Sequence, residues 1–368
     1  MRNLLVVLME EQTIPNIQFI KEFRRACSDY LFITTEELEL QRISRYVMLT
    51  CGLPEERVRI RCINPFSPPD IRQVLDEIDY EQFDRIRVNV CGGSKVASLT
   101  AMDFFKELGA DIYYLAGMEQ KLIRLFPRRK NNESAIRNPL TLKEYLSGYG
   151  FEVKETKKKG NKTRITPEYT TSFFDWYISA DLKFYDPLLD RLREYRNKKV
   201  PVASVENLGE WLEQIRFPLY DPLGLVLNKY EIRYLTGNWF EEYIYNRLRM
   251  ELQAGDNLKT GLCLKKYGTE NEFDIMLLHN GQLYTVECKT SFYYESDEKE
   301  ENIVPVTLYK TAALHQNLGL YSHSSVFTLD SRDKMDKLHC RRAKIFGIRI
   351  FFREDLLYGS SLMNWLGV

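Results

Sequence analysis

The sequence predicts an α/β protein in two parts: an amino-terminal parallel sheet wound with helices, and a carboxy-terminal α/β unit built around a hairpin. Three observations predict this. Residues 4–9 (Leu-Leu-Val-Val-Leu-Met) are a continuous apolar run, as expected of a strand buried on both faces. Strand-like and helix-like segments then alternate as far as Leu115, the pattern of a doubly wound sheet. Two apolar runs flank Asn280-Gly281, the strongest short-range hairpin signal.

After the first strand, residues 11–16 (Glu-Gln-Thr-Ile-Pro-Asn) read as a polar turn and 17–27 as a helix. Residues 30–33 are a second strand leaving through Thr34-Thr35-Glu36, and 37–49 the next helix. A third strand (58–63) and helix (69–78) follow, then a fourth strand (86–90) that runs into Cys91-Gly92-Gly93-Ser94-Lys95. Residues 96–108 are helical, and 111–115 a fifth strand. Ligands of such sheets bind at the carboxyl ends of the strands, where the strand order reverses. The Gly92-Gly93-Ser94-Lys95 turn brings backbone amides, a helix N-terminus and a full charge to that end, all favourable to an anion such as phosphate. A Gly-Gly turn also closes many strand-to-helix loops for structural reasons alone. The chain has no G-x-G-x-x-G and no P-loop, which argues against dinucleotide cofactors and nucleotide triphosphate hydrolysis.

Residues 120–227 read as a connector with helices over 171–178 and 187–196, interrupted at Pro201, Pro218 and Pro222. Phe173, Phe174, Trp176 and Tyr177 could stack bases, but helical spacing favours core packing. Beyond the connector, residues 235–248 have helical periodicity, with Phe240, Ile244 and Leu248 recurring at i+4. Glu241 falls on or beside that apolar face, either as a metal or water ligand or as an ordinary helix glutamate.

The hairpin carries the chemistry. If Asn280-Gly281 is a two-residue loop, His279 faces Gln282, Asp274 faces Glu287 and Glu272 faces Lys289. The Cβ atoms of Asp274 and Glu287 would then sit roughly 5 Å apart, a destabilising like-charge pair. A divalent cation between them removes that cost, and hard oxygens suit magnesium or manganese. The alternative is a solvated strand face. Glu287 and Lys289 end an apolar run (Leu283, Tyr284, Val286), which favours a buried site over a surface one.

Glu241, Asp274 and Glu287-Cys288-Lys289 stand in the order of the PD-(D/E)xK nucleases, and residues 228–368 resemble that superfamily, although Phe273 replaces its proline. The resemblance implies a restriction-endonuclease-like fold with Glu241, Asp274, Glu287 and Lys289 catalytic. It also implies that Asp274, Glu287, Glu241 and the Cys288 carbonyl hold Mn2+ or Mg2+. Lys310, on a helix over 308–319, would reach the phosphate, with a solvated surface lysine as the alternative. The amino-terminal part, residues 1–119, resembles the CARF domain, a CRISPR-associated Rossmann-like fold. The marks are the first-strand exit, residues 11–16, and Asn89-Val90-Cys91-Gly92-Gly93-Ser94-Lys95, where Cys91 and Ser94 replace the usual threonines. That likeness implies a homodimer whose symmetric pocket binds a cyclic oligoadenylate, most often cyclic tetra-adenylate. Gln12, Thr13, Asn16, Thr35, Gly92, Gly93, Ser94 and Lys95 would line it. The pairing resembles the cyclic-oligoadenylate-activated DNA/RNA nucleases of type III CRISPR immunity, acting on single-stranded substrates and nicking duplex DNA. Two rivals are a sensor with an inactive nuclease-like domain and a ring nuclease that degrades the signal.

Composition bounds these readings. With 368 residues, 44% of them hydrophobic, the chain can build two or three cores. No stretch of 18 apolar residues offers a membrane span. Seven scattered cysteines without C-x-x-C, and four histidines, argue against a disulfide framework or structural zinc and fit a reducing cytoplasm. A net charge of +0 is not the footprint of a constitutive nucleic-acid binder. Local basic clusters remain at 124–130, at 154–164 and at Arg341, Arg342 and Lys344, with solvated faces as the default.

Overall fold

The structure is a computed structural model that describes residues 2–117, 119–155, 163–180, 185–252, 255–296, 299–357 and 361. Five parallel strands, β1 (Asn3–Leu8), β2 (Asp29–Thr34), β3 (Val58–Cys62), β4 (Arg85–Asn89) and β5 (Asp111–Ala116), form the amino-terminal sheet. The helices between them are α1 (Ile14–Phe23), α2 (Glu36–Leu40), α3 (Ile43–Cys51), α4 (Pro68–Asp76) and α5 (Lys95–Glu107). Two antiparallel strands, β6 (Lys121–Phe126) and β7 (Glu133–Ala135), complete the order β3-β2-β1-β4-β5-β6-β7. Strand β1 lies between two cores. Leu5 and Val7 pack with Ile17, Ile20 and Val47, while Leu4, Val6 and Leu8 pack with Ile71, Leu75 and Phe105. Burial on both faces is why its sequence is apolar without alternation.

Two helices differ from expectation. Helix α1 begins at Ile14 with Pro15 in its first turn, where the missing N–H has no helical partner to lose. Asn16 therefore lies inside a helix and not in a polar turn. The helix expected over 37–49 is broken between α2 and α3, where Arg42 takes φ 62°.

The stretch 120–227 is divided among neighbours. Strands β6 and β7 extend the first sheet, α6 (Leu142–Gly148) packs in the core shared with α1 and α3, and β8 (Glu152–Glu155) edges the second sheet. Helices α7 (Pro167–Ser179), α8 (Asp186–Arg193) and α9 (Leu208–Gln214), with the short strands β9 (Val200–Pro201) and β10 (Val226–Leu227), join the carboxy-terminal core. Phe173 and Phe174 are buried there, and Phe174 stacks on Tyr243 at 3.9 Å, so these rings pack the core. Residues 156–162 of the basic run at 154–164 lie outside the described residues.

The carboxy-terminal unit continues with α10 (Lys229–Arg233), α11 (Trp239–Leu252), β11 (Leu258–Lys266), β12 (Thr269–His279) and β13 (Gln282–Lys289). A ribbon, β14 (Tyr293–Ser296) and β15 (Lys299–Asn302), leads to α12 (Val304–His315), β16 (Ser322–Thr328), α13 (Lys337–Ile345), β17 (Ile348–Phe351) and α14 (Arg353–Leu357). The sheet order is β17-β16-β13-β12-β11-β8, with β13, β16 and β17 parallel. One core joins the two units: Ile17, Tyr145 and Leu146 pack with Leu262, Met276, Leu283 and Leu318. Among the described residues no helix is long and apolar enough to cross a membrane.

Candidate functional site

The hairpin has the register its turn dictates. Asn280 and Gly281 take φ 50° and 74°, the left-handed pair a two-residue primed turn requires, and His279 pairs with Gln282. The ladder runs from there to Ile275–Val286 and stops. At the next position the Asp274 carboxylate replaces the ladder bond, accepting from the Cys288 backbone N–H at 2.8 Å. The expected pairing of Glu272 with Lys289 does not form: Glu272 is registered with Cys263 on β11, and Lys289 with Thr328 on β16.

Asp274, Glu287 and Lys289 meet at this strand end. Lys289 Nζ donates to Glu287 Oε1 at 2.7 Å and lies 3.8 Å from Asp274 Oδ2 and 3.3 Å from the Cys288 carbonyl oxygen. Lys310 Nζ approaches the same Glu287 oxygen at 3.5 Å from α12. Helix α11 buries Phe240, Ile244 and Leu248 in the core with Ile275, Val286 and Cys288, which places Glu241 against the strand end. Burial, then the charge of Asp274, raises the Glu241 carboxyl from 4.5 to about 8. Burial, then Glu287, raises Asp274 to about 6. Lys289 loses charge stability by burial but is carried above its ordinary value by Asp274 and Glu287, so it is an ammonium. The Cys288 thiol is pushed well up by burial, which makes it a packing group and no nucleophile.

Glu241 and Asp274, both raised above the ordinary carboxyl range, resist joint ionisation and form a site short of positive charge. Among the described residues no three His, Cys, Asp or Glu side chains group closely enough to cage an ion by themselves. The donor set that does converge is two carboxylates and a main-chain carbonyl around the Lys289 ammonium, a cation standing where those oxygens point. Such a set suits magnesium or manganese, which keep waters and substrate oxygens in their shell.

At the other sheet, the β1 and β4 exits meet where the strand order reverses. Asn16 is fully buried: its amide donates to the Leu8 carbonyl at 2.7 Å and accepts from Asn89 at 2.8 Å. Thr13 is also buried, its hydroxyl donating to the Gly148 carbonyl at 2.9 Å. These two shape the strand exits from beneath and present no open surface. A Cβ at Gly92 would overlap the Leu8 carbonyl oxygen, so only glycine allows this approach. Ser94 caps α5, accepting from Ala97 N–H at 3.0 Å while its hydroxyl donates to the Pro65 carbonyl. Thr35 caps α2. Gly93 and Lys95 are exposed, and Gln12 and Thr35 half-buried, at the same end of the sheet. Gln12 also touches the second unit: its Oε1 accepts from Tyr149 Oη at 2.9 Å and from the Leu320 backbone N–H at 3.0 Å. Cys91 Sγ accepts from the Leu115 N–H at 2.7 Å, a backbone role in place of a hydroxyl contact. Glu10, two residues beyond the end of β1, is raised by burial to about 7.

Residues 4–145 match the family described as Card1 CARF domain, and residues 228–358 the family described as Card1-like, endonuclease domain. The chain joins a Card1-type CARF domain to a Card1-like endonuclease domain. It is an endonuclease by family, and its α/β architecture is that of the two families combined. No curated protein sequence matches it. Among solved structures, Can2 from Sulfobacillus thermosulfidooxidans, in complex with cyclic tetra-adenylate, is similar over 100% of both chains at 19% identity and TM-score 0.74. Protein VC1899 from Vibrio cholerae is similar over 99% of this CARF endonuclease and 98% of its own chain, at 16% identity and TM-score 0.75. A type III CRISPR defence DNA nuclease activated by cyclic oligoadenylate is similar over 90% of this chain and 46% of its own, at 17% identity and TM-score 0.55. At these identities the likeness is one of fold.

Proposed function

We propose that this CARF endonuclease is activated by a cyclic oligoadenylate, cyclic tetra-adenylate, and cleaves single-stranded DNA or RNA in type III CRISPR defence in the cytoplasm. The observation that carries the reading is the joining of the two domains in one chain with the Asp274–Glu287–Lys289 constellation at a strand end. The full-length likeness to a protein solved with cyclic tetra-adenylate supports the activator. A ring of two-fold symmetry fits an isologous homodimer, each protomer offering Gly93, Lys95, Gln12 and Thr35 at the end of its sheet. Gln12 also bonds Leu320, at the entrance to β16, so effector contacts at the β1 exit act directly on the nuclease unit.

In the nuclease unit, Asp274, Glu287 and the Cys288 carbonyl would hold a magnesium or manganese ion, which when bound lowers the pKa of a water and neutralises phosphate charge. With a cation bound nearby to favour its ionised form, Glu241, beside Asp274, would accept a hydrogen bond or proton from a water. Lys289, an ammonium in this setting, pairs with a phosphate oxygen and orients the attacking water; it is too basic to remove a proton itself. Lys310 adds a second cation on the α12 side. The test is cleavage of labelled single-stranded DNA and RNA with magnesium or manganese, with and without cyclic tetra-adenylate. Cutting that needs both metal and activator supports the reading. Cutting without activator removes the switch, and cutting in EDTA removes the metal.

A further inference from the structure

Helix α12 brings Lys310 to the active site and α13 packs against α12, and neither helix contains an acidic residue. Val304–His315 carries Lys310, and Lys337–Ile345 carries Lys337, Arg341, Arg342 and Lys344. In a chain of formal net charge +0 this is a local concentration of cations, the footprint of a polyanion. An aromatic contact joins the helices: the Tyr309 ring lies 5.5 Å from that of Phe346, and the Arg342 guanidinium 5.4 Å from the Tyr309 centroid. Tyr309 is nevertheless 54% exposed. The core side of α12 is taken by Val304, Thr307, Leu308 and Thr311, so Tyr309 and Lys310 share its outer face. Lys310 is the residue whose ammonium reaches Glu287. Strand β17, which follows α13, is two strands from β13, about 10 Å across the sheet.

We propose that Tyr309 and Arg342 form a stacking platform that receives an unpaired base of the substrate strand beside the scissile phosphate. An open aromatic ring stacks on any base, and an arginine next to it adds cation–π attraction and a phosphate contact. Bases in a duplex are already stacked on one another, so the platform selects a single strand. Cations flanking carboxylates that cut phosphodiesters favour a nucleic acid over a protein on this face. The inference rests on the endonuclease reading above and names the strand class and the residues that would hold it.

The test uses the full chain with cyclic tetra-adenylate, as wild type, Tyr309→Ala, Tyr309→Phe and Arg342→Ala. Binding in EDTA is read by fluorescence anisotropy on a single strand, an abasic strand of equal length and a duplex. Cleavage kinetics are read with magnesium or manganese. Tyr309→Ala weakens single-strand binding about tenfold and raises KM by a similar factor with little change in kcat. Tyr309→Phe keeps the ring and stays near wild type. The abasic strand binds wild type weakly and is indifferent to Tyr309→Ala. Arg342→Ala lowers the slope of log affinity against log salt by about 0.7. Tyr309→Ala that binds and cuts like wild type, or that weakens ordinary and abasic strands equally, overturns the platform and leaves the endonuclease reading standing. A wild type that neither binds nor cuts any strand overturns both.

Discussion

Glu241→Gln separates the electrostatic cost of the metal-free site from its catalytic use. The Glu241 carboxyl is raised from 4.5 to about 8, first by burial and then by Asp274. An acid with a raised folded-state value binds more protons folded than unfolded across that interval, so stability falls as pH rises from about 4.5 through about 8. Complete ionisation would cost at most about 5 kcal/mol at about 1.36 kcal/mol per pH unit. Relaxation and water entry around the ionised carboxylate bring this to about 2–3 kcal/mol. Unfolding entropy of about 2.1 cal/mol/K per residue over 368 residues converts this to about 3–4 °C. Thermal melts of wild type and Glu241→Gln in EDTA from pH 5 to pH 8.5 measure it. The variant and wild type should melt together near pH 5, and the variant about 3–4 °C higher by pH 8. Magnesium or manganese should then raise the wild type more than the variant, because binding to the folded state adds RT ln(1 + [L]/Kd). A melting difference that does not change with pH, or a wild type more stable than the variant in EDTA at pH 8, would refute the reasoning.

Three further outcomes follow from the geometry. Glu287→Gln keeps the shape of the strand end but removes the charge that Lys289 and Lys310 face; cleavage should drop about 10³-fold while effector binding, read by calorimetry, is unchanged. Lys95→Ala removes an exposed cation at the α5 N-terminus; cyclic tetra-adenylate should bind about 10- to 100-fold more weakly, with the melting temperature unmoved. Gly92→Ala drives a methyl into the Leu8 carbonyl and should cost about 1–3 kcal/mol, seen as a lower melting temperature together with weaker effector binding.

Much of the site was legible in the sequence because its physics is local. Asn280-Gly281 admits a turn with two positive φ values, and the counted register holds as far as Ile275–Val286; Asp274 and Glu287 lie just beyond it, and the counted Glu272–Lys289 pair does not form. The unbroken apolar run of β1 announced a strand covered on both sides, and the periodicity of Phe240, Ile244 and Leu248 placed Glu241 beside the core. Other features depended on partners far away in the chain. Thr13 and Asn16 look like a polar loop, yet one is committed to Gly148 and the other to Leu8 and Asn89. The stretch 120–227 gave no local sign that β6 and β7 would extend one sheet and β8 the other, because an edge strand is chosen by the sheet it finds. The bond from Leu320 to Gln12 spans 308 positions, and the contact of Arg342 with Tyr309 joins two helices. The sequence by itself determined the two domain types, the hairpin register and the acid–acid–lysine order, since turns and alternation act over a few residues. Only the tertiary structure decided which polar groups remain open to a ligand and which charges share one small volume, since both depend on burial between elements distant in the chain.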